Sequence, residues 1–218
     1  MPVLEFPGEE HPKPFALKTT PGLHRLVWNL RLKGPPPIPG AYYDMGGPVA
    51  PMVLPGQYSL TLTVDGRHYT QPLAVVTDPR VHVTPAALQQ QYGLMLKLNR
   101  ALADDHAAAN AIIGVRAQLE GIAQRLAEQP ADRSLVHQAQ ALDAKLQPLL
   151  ETFYQYRAHA EEAMLNYPSE LNSQIAYLEL GVDSADSAPT AQQQGMYTML
   201  RGQLDRTLAQ WQRWQSVA

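Results

Sequence analysis

The fold is decided by residues 85–128, which read PAALQQQYGLMLKLNRALADDHAAANAIIGVRAQLEGIAQRLAE. Thr84 is a good helix N-cap, and Pro85 suits the first helical position because a first turn leaves its amide hydrogens unpaired. No further proline occurs before Pro130, so the pattern predicts one helix of about 65 Å at 1.5 Å per residue. Apolar residues recur every three or four positions along one face: Leu88, Tyr92, Met95, Leu98, Leu102, Ala109, Ile112, Val115, Leu119, Ile122 and Leu126.

A stripe of that length needs partner helices, and the following sequence supplies them. A second helix is predicted over 132–166, with apolar steps of four and three that are typical of left-handed helix packing. Pro148 is expected to kink this helix without ending it. A short helix is predicted over 169–180 and a final one over 190–215. Residues 84–218 are therefore predicted to form an antiparallel bundle of three long helices and one short helix.

The first part of the chain has a different composition, because most of its 19 prolines precede residue 84. Asp65-Gly66 is a strong hairpin turn between two alternating segments. Alternation of apolar and polar residues predicts further strands, some of them from a weak pattern. Taken together, the candidate strands are residues 3–6, 15–18, 26–31, 57–64 and 69–75. We predict a small antiparallel β-sandwich of the immunoglobulin or fibronectin type III kind over 1–83, with an extended N-terminal arm. The fold class is then α+β in two parts.

Bulk composition excludes some classes of partner. The net charge is −3 and the pI is about 6.1, so no general basic field would attract nucleic acid. No run of eighteen apolar residues is present, so no membrane span is expected. The polar, proline-rich start is not a signal peptide, and the chain as given is expected to be cytoplasmic, or exported within a larger secreted parent. With no cysteine, disulfides and thiolate sites are excluded.

Candidate chemistry is sparse. His106 lies beside Asp105, and Asn110 is one turn away, but a metal site would need a second strong ligand on the same face. The pattern favours a solvated or partly buried histidine. We predict no catalytic residue, no metal ligand and no cofactor. A sugar-stacking platform of Trp28, Tyr42 and Tyr43 is considered, with the alternative that the tryptophan is a core residue of the sandwich.

Three blocks of sequence carry a resemblance. They are residues 21–31, residues 50–79, and residues 167–172 followed by 185–190. In this order they resemble the C-terminal regions of large bacterial sortilin-like β-propeller proteins, the Asp-box or BNR-repeat proteins labelled as glycosyl hydrolases. In that family the propeller lies upstream and carries the hydrolase label. Asn29 stands where the family usually has aspartate, and no Asp-box or blade repeat is present, so the resemblance implies no catalytic residue here.

The function expected from these observations is that of a non-enzymatic accessory or interaction module. It would be the C-terminal scaffold of a larger propeller-type protein, or a truncated stand-alone form of it. The alternative is a carbohydrate-binding module that uses the aromatic residues of the sandwich. Because four or five strands are too few for a full sandwich, an exposed sheet edge or the arm Met1–Phe15 is expected to pair with a protein partner or with a second copy, as a homodimer.

Overall fold

The computed structural model describes residues 20–43, 46–126 and 133–217. The chain divides into two compact units, Met1–Leu30 and Arg31–Ala218. The second unit contains strands β1 (Gly56–Val64) and β2 (Arg67–Val75), helices α1 (Pro85–Leu126), α2 (Arg133–Phe153), α3 (Leu171–Asp183) and α4 (Ala191–Val217), and a 3₁₀ helix (Glu162–Asn166). The separation into domains at 1–83 and 84–218 stays a prediction.

Helix α1 begins where the sequence predicts. The Ala87 amide donates to Thr84 Oγ1 at 3.2 Å, which caps the first turn. The helix continues for 42 residues, a length of about 63 Å. The predicted apolar stripe is confirmed as buried from Met95 to Ile112, whereas Leu88 and Tyr92 before it are half-buried and Ile122 near the end of the helix is 37% exposed. The buried members of the stripe are Met95, Leu98, Leu102, Ala109 and Ile112.

Helices α2, α3 and α4 pack on α1 and complete the core. Their largest fully buried apolar side chains are Leu146, Phe153, Ile175, Leu200 and Leu204. Helix α4 opens with a capping box, because the Gln193 amide donates to Thr190 Oγ1 at 3.1 Å and the Thr190 amide donates to Gln193 Oε1 at 2.8 Å. None of the helices in the described residues is both long enough and apolar enough to cross a membrane.

The predicted extent of the second helix is wrong at its C-terminal end. Helix α2 passes through Pro148 but stops at Phe153, and the chain reaches Asn166 through an irregular segment and the 3₁₀ helix. Tyr154 and Ala158 in that segment are buried, at 8% and 2% exposure. The heptad-like pattern does not continue past Phe153, because Tyr154 and Ala158 are buried there while Ala160, which would continue the pattern, is exposed. The start at Asp132 lies outside the described residues.

The predicted sandwich is wrong, and with it the immunoglobulin-like interpretation. In the described residues the sheet has two strands, β1 and β2, paired antiparallel around Asp65 and Gly66. Both turn residues have positive φ, 48° and 75°, as a tight primed turn requires. The segment predicted as a strand over 26–31 is irregular, with only an isolated bridge between Arg31 and Met52. Alternation indicates an extended chain with one apolar side, but it does not provide a hydrogen-bonding partner. The candidates at 3–6 and 15–18 lie outside the described residues.

The described residues of the proline-rich segment 31–54, which are 31–43 and 46–54, lie against α1 and α3 and are here called the strap. Its Ile38 side chain is 3% exposed and belongs to the main core. Apart from the bridge at Arg31, its described residues contain no regular strand or helix. The proline and glycine content of residues 34–55 predicts a long surface loop. The structure shows that the described part of this loop closes over polar side chains of the bundle.

Candidate functional site

Five polar side chains lie together beneath the strap and form what is here called the polar cluster: Tyr43 from the strap, Asp105 and His106 from α1, and Asn172 and Glu179 from α3. The four helical members are each 0–1% exposed, and Tyr43 is half-buried. Such groups are rarely fully buried unless they are paired. The polar cluster is therefore the most unusual chemical feature of the described residues.

His106 links α1 to the strap through both ring nitrogens. Its Nδ1 lies 2.7 Å from the Pro36 carbonyl oxygen, and its Nε2 lies 3.0 Å from the Tyr43 hydroxyl. A carbonyl oxygen only accepts, so Nδ1 carries the hydrogen and the Tyr43 hydroxyl donates to Nε2. Burial lowers the pKa of His106, and the bond to Pro36 opposes this in part. The imidazole is consequently neutral at pH 7.

Glu179 makes the second link between a helix and the strap. Its Oε2 accepts the Val49 amide hydrogen at 3.0 Å, and its Oε1 has no hydrogen-bond partner in the described part of the chain. Burial raises the pKa of Glu179 to about 8, a nearby Asp183 adds to the rise, and the Val49 amide and Arg31 oppose it. The side chain therefore keeps its proton at neutral pH.

Asp105 is the least compensated group. Neither of its carboxyl oxygens has a hydrogen-bond partner among the residues that the structure describes. Burial raises the pKa of Asp105 well above its usual value. Burial also raises the pKa of Tyr43, with Asp105 and Glu179 adding to the rise and Asn172 opposing it. An ionised carboxylate here would cost far more than a protonated one.

An ion pair closes one edge of the polar cluster. Arg31, at the start of the strap, donates to both carboxylate oxygens of Asp183 at 3.0 and 2.7 Å, and to the Ala50 carbonyl at 2.8 Å. The Arg31 and Asp183 side chains are 22% and 19% exposed. A half-buried bidentate pair of this kind fixes geometry as well as adding energy. It holds both ends of the strap beside α3.

The chemistry available to this arrangement is proton exchange coupled to strap position. At neutral pH Glu179 keeps its proton and His106 is neutral, and burial favours the protonated form of Asp105. The polar cluster therefore holds the strap through hydrogen bonds between largely uncharged groups, beside the Arg31–Asp183 ion pair at its edge. The described residues contain no group of three or more His, Asp or Glu side chains placed to hold a metal ion. Any ligand would have to enter by displacing the strap.

The predicted platform residues belong to two different units of the chain. Trp28 is 42% exposed and belongs to the unit Met1–Leu30. Tyr42 is half-buried, and Tyr43 directs its hydroxyl to His106. The ring of Tyr43 also packs on the core. A platform made of all three aromatic residues stays a prediction.

The polar cluster was missed by reasoning from sequence, although a signal was present. Asp105 and His106 fall three and four residues after Leu102, inside the apolar stripe of α1. Glu179 falls four residues after Ile175, inside the stripe of α3. Polar residues at positions that the helical period assigns to the core indicate a buried polar network. His106 itself was expected to be solvated or partly buried, and it is 1% exposed.

A second concave surface lies between α1 and α2. It is an open groove of about 730 Å³ lined by apolar residues and by Arg116 and Asp143. Arg116 donates to both carboxylate oxygens of Asp143, at 2.7 and 3.1 Å. The pair satisfies itself, so this groove presents no free charge from these two residues.

Comparison with known proteins adds no assignment: no protein family, no curated protein and no solved structure matches this chain. The resemblance to sortilin-like propeller proteins therefore stays a prediction.

Proposed function

We propose that this chain is an accessory interaction module, in which the helical bundle presents the β1–β2 hairpin to a β-sheet protein. The partner that fits best is a propeller domain of the same larger protein, as the sequence resemblance implies. The observation that carries the proposal is the exposed apolar face of the hairpin. Nothing in the described residues favours the carbohydrate-binding alternative, because its platform was assigned to a sandwich that they do not form.

The pairing register defines this face. Leu60 pairs with Gln71, Leu62 with Tyr69 and Val64 with Arg67, and directly opposed residues of an antiparallel pair project from the same side. Their apolar members, here called the hairpin face, are 46–55% exposed: Leu60, Leu62, Val64 and Tyr69. The other side carries polar residues, among them Ser59, Thr61, Thr63, His68 and Thr70.

This distribution is that of a strand pair with one buried side, yet no described residue covers the hairpin face fully. An isolated two-stranded hairpin is marginally stable in water and usually needs further strands or a packed face. Both of its strands are also edge strands, whose outer backbone groups can pair with another sheet. A β-sheet partner would supply apolar cover and strand pairing together, as in β-augmentation. Propeller blades are antiparallel sheets with short edges, which suits this role.

The test uses the polypeptide encoded directly upstream of Met1 in the same reading frame. That polypeptide and the chain are produced separately and mixed in a calorimeter. Covering each half-exposed leucine yields roughly 1 kcal/mol, so the double variant Leu60→Asn, Leu62→Asn is expected to weaken binding about 30-fold. The matched control, Thr61→Asn with Thr63→Asn, changes the opposite side of the same strand and should bind as the wild type does.

Several results would overturn the proposal. An upstream sequence without propeller repeats, or no binding between the two polypeptides, would remove the partner. Equal losses in the two double variants would show that the hairpin face is not the contact. A homodimer seen by light scattering, and lost only in the leucine variant, would place a second copy on this face instead.

A further inference from the structure

We propose that the strap, residues 31–43 and 46–54, is a pH-dependent latch that opens as Glu179 releases its proton, while the helical bundle stays folded. This inference does not rest on the proposed interaction function. It concerns the polar cluster and not the hairpin face.

The geometry of the strap supports local opening. Its described residues are tied to the helices by side-chain contacts and not by a strand ladder. The hydrogen bonds among them are Val49 to Glu179 at 3.0 Å, Tyr43 to His106 at 3.0 Å, Pro36 to His106 at 2.7 Å and Pro37 to Asn110 at 3.1 Å. The Arg31–Asp183 ion pair beside Ala50 and the buried Ile38 anchor the strap as well, and opening between Ile38 and Ala50 frees Val49. The helix–helix core from Leu98 to Ile112 makes its own packing contacts with α2, α3 and α4. Segments held by a few such contacts open at lower free energy than the core.

The unpartnered oxygens of the polar cluster give the latch its trigger. Glu179 Oε1 and both oxygens of Asp105 are buried, and within residues 20–43, 46–126 and 133–217 they have no hydrogen-bond partner. If Glu179 loses its proton beneath the closed strap, the charge has one amide hydrogen bond, from Val49, and the more distant Arg31 to offset it. Opening the strap gives that charge access to water, which removes the main cost of ionisation.

The groups facing Glu179 set the direction and the pH window. From the strap these are Arg31 and Tyr43, from α3 Asp183, and from α1 Asp105 and His106. Beneath the closed strap the pKa of Glu179 is about 8, and in water it is near 4.5. Opening therefore releases a proton between these values, and the ratio of open to closed strap rises about tenfold per pH unit.

Two neighbours modify this dependence. Burial lowers the pKa of His106 from 6.5, so below that pH the exposed imidazole takes up a proton on opening and offsets the loss from Glu179. The net effect of Glu179 is therefore clearest from pH 6.5 to 8, where it amounts to about 15-fold because the dependence flattens near the closed-state pKa. Asp105, whose pKa burial also raises, acts in the same direction as Glu179. Tyr43 stays protonated throughout this range, because burial raises its pKa.

Amide hydrogen exchange at Val49 and Leu98 tests the latch. Exchange rates are measured from pH 6.5 to 8 and divided by the intrinsic rates at each pH. The protection factor of Val49 should fall about 15-fold or more and should stay well below that of Leu98 at every pH, because Leu98 in the core of α1 exchanges only when the whole bundle unfolds. In Glu179→Gln the fall at Val49 should be about 15-fold smaller than in the wild type. Glu120→Gln, an exposed glutamate on α1, is the matched control and should behave as the wild type does.

The proposal is overturned if Val49 and Leu98 have the same protection factor at each pH, since both amides then exchange through unfolding of the whole bundle. It is also overturned if Val49 protection does not change with pH, or if Glu179→Gln keeps the full dependence. Should that variant not fold, a carbon-13 titration of the wild-type Glu179 carboxyl decides. A midpoint near 8 that coincides with a shift of the Val49 amide supports the latch, and a midpoint near 4.5 refutes it.

Discussion

Truncation of Leu98 to alanine measures how much of the stability depends on the buried face of α1. The Leu98 side chain is 0% exposed, whereas that of Leu96, two residues earlier on the same helix, is 40% exposed. Losing the buried methyl and methylene groups costs about 2 kcal/mol in transfer free energy, and a cavity of some 60 Å³ adds about 1.5 kcal/mol. We therefore expect Leu98→Ala to lower the free energy of unfolding by about 3.5 kcal/mol.

Leu96→Ala is the matched control, because it makes the same chemical change in the same helix on the other face. Its expected cost is below about 1 kcal/mol. Guanidinium denaturation followed by circular dichroism at 222 nm measures both variants, and unchanged m-values would show that the denatured states are comparable. Equal costs at Leu96 and Leu98, or a larger cost at Leu96, would mean that α1 does not present the described face to the core.

Three further predictions concern the polar cluster, a groove and a helix cap. The free energy of unfolding should fall as pH rises from 5 towards 8, because folded Glu179 keeps its proton up to about pH 8 and the unfolded chain releases it near 4.5. Denaturant midpoints that rise over this range would contradict this prediction. Arg116 and Asp143 form a bidentate pair in which their side chains are 24% and 30% exposed. A double-mutant cycle should give a coupling free energy of about 1 kcal/mol, which 1 M salt should reduce. A coupling of zero at low salt would refute the pair. Thr84→Ala should cost about 1 kcal/mol while Thr84→Ser costs much less, and equal thermal stability of the two variants would show that the cap to Ala87 is not formed.

The sequence alone determined the elements whose signals are local. The start of α1 follows from Thr84 and Pro85, and its buried face follows from the helical period up to Ile112. The hairpin follows from Asp65-Gly66 between two alternating segments, because that dipeptide accepts the positive φ values of a tight turn. These features depend on neighbours within a few residues, so the printed sequence contains the information needed to place them.

Tertiary structure decided what depends on distant partners. Whether an alternating segment such as 26–31 joins a sheet depends on a second strand, and period-two alternation does not specify one. Where α2 ends depends on how Tyr154 and the residues after it fold back on the bundle. The polar cluster forms because the strap brings Tyr43 and Val49 to His106 and Glu179, across 63 and 130 residues of chain. Burial by that distant segment, more than any property of the glutamate or histidine itself, changes their proton affinities.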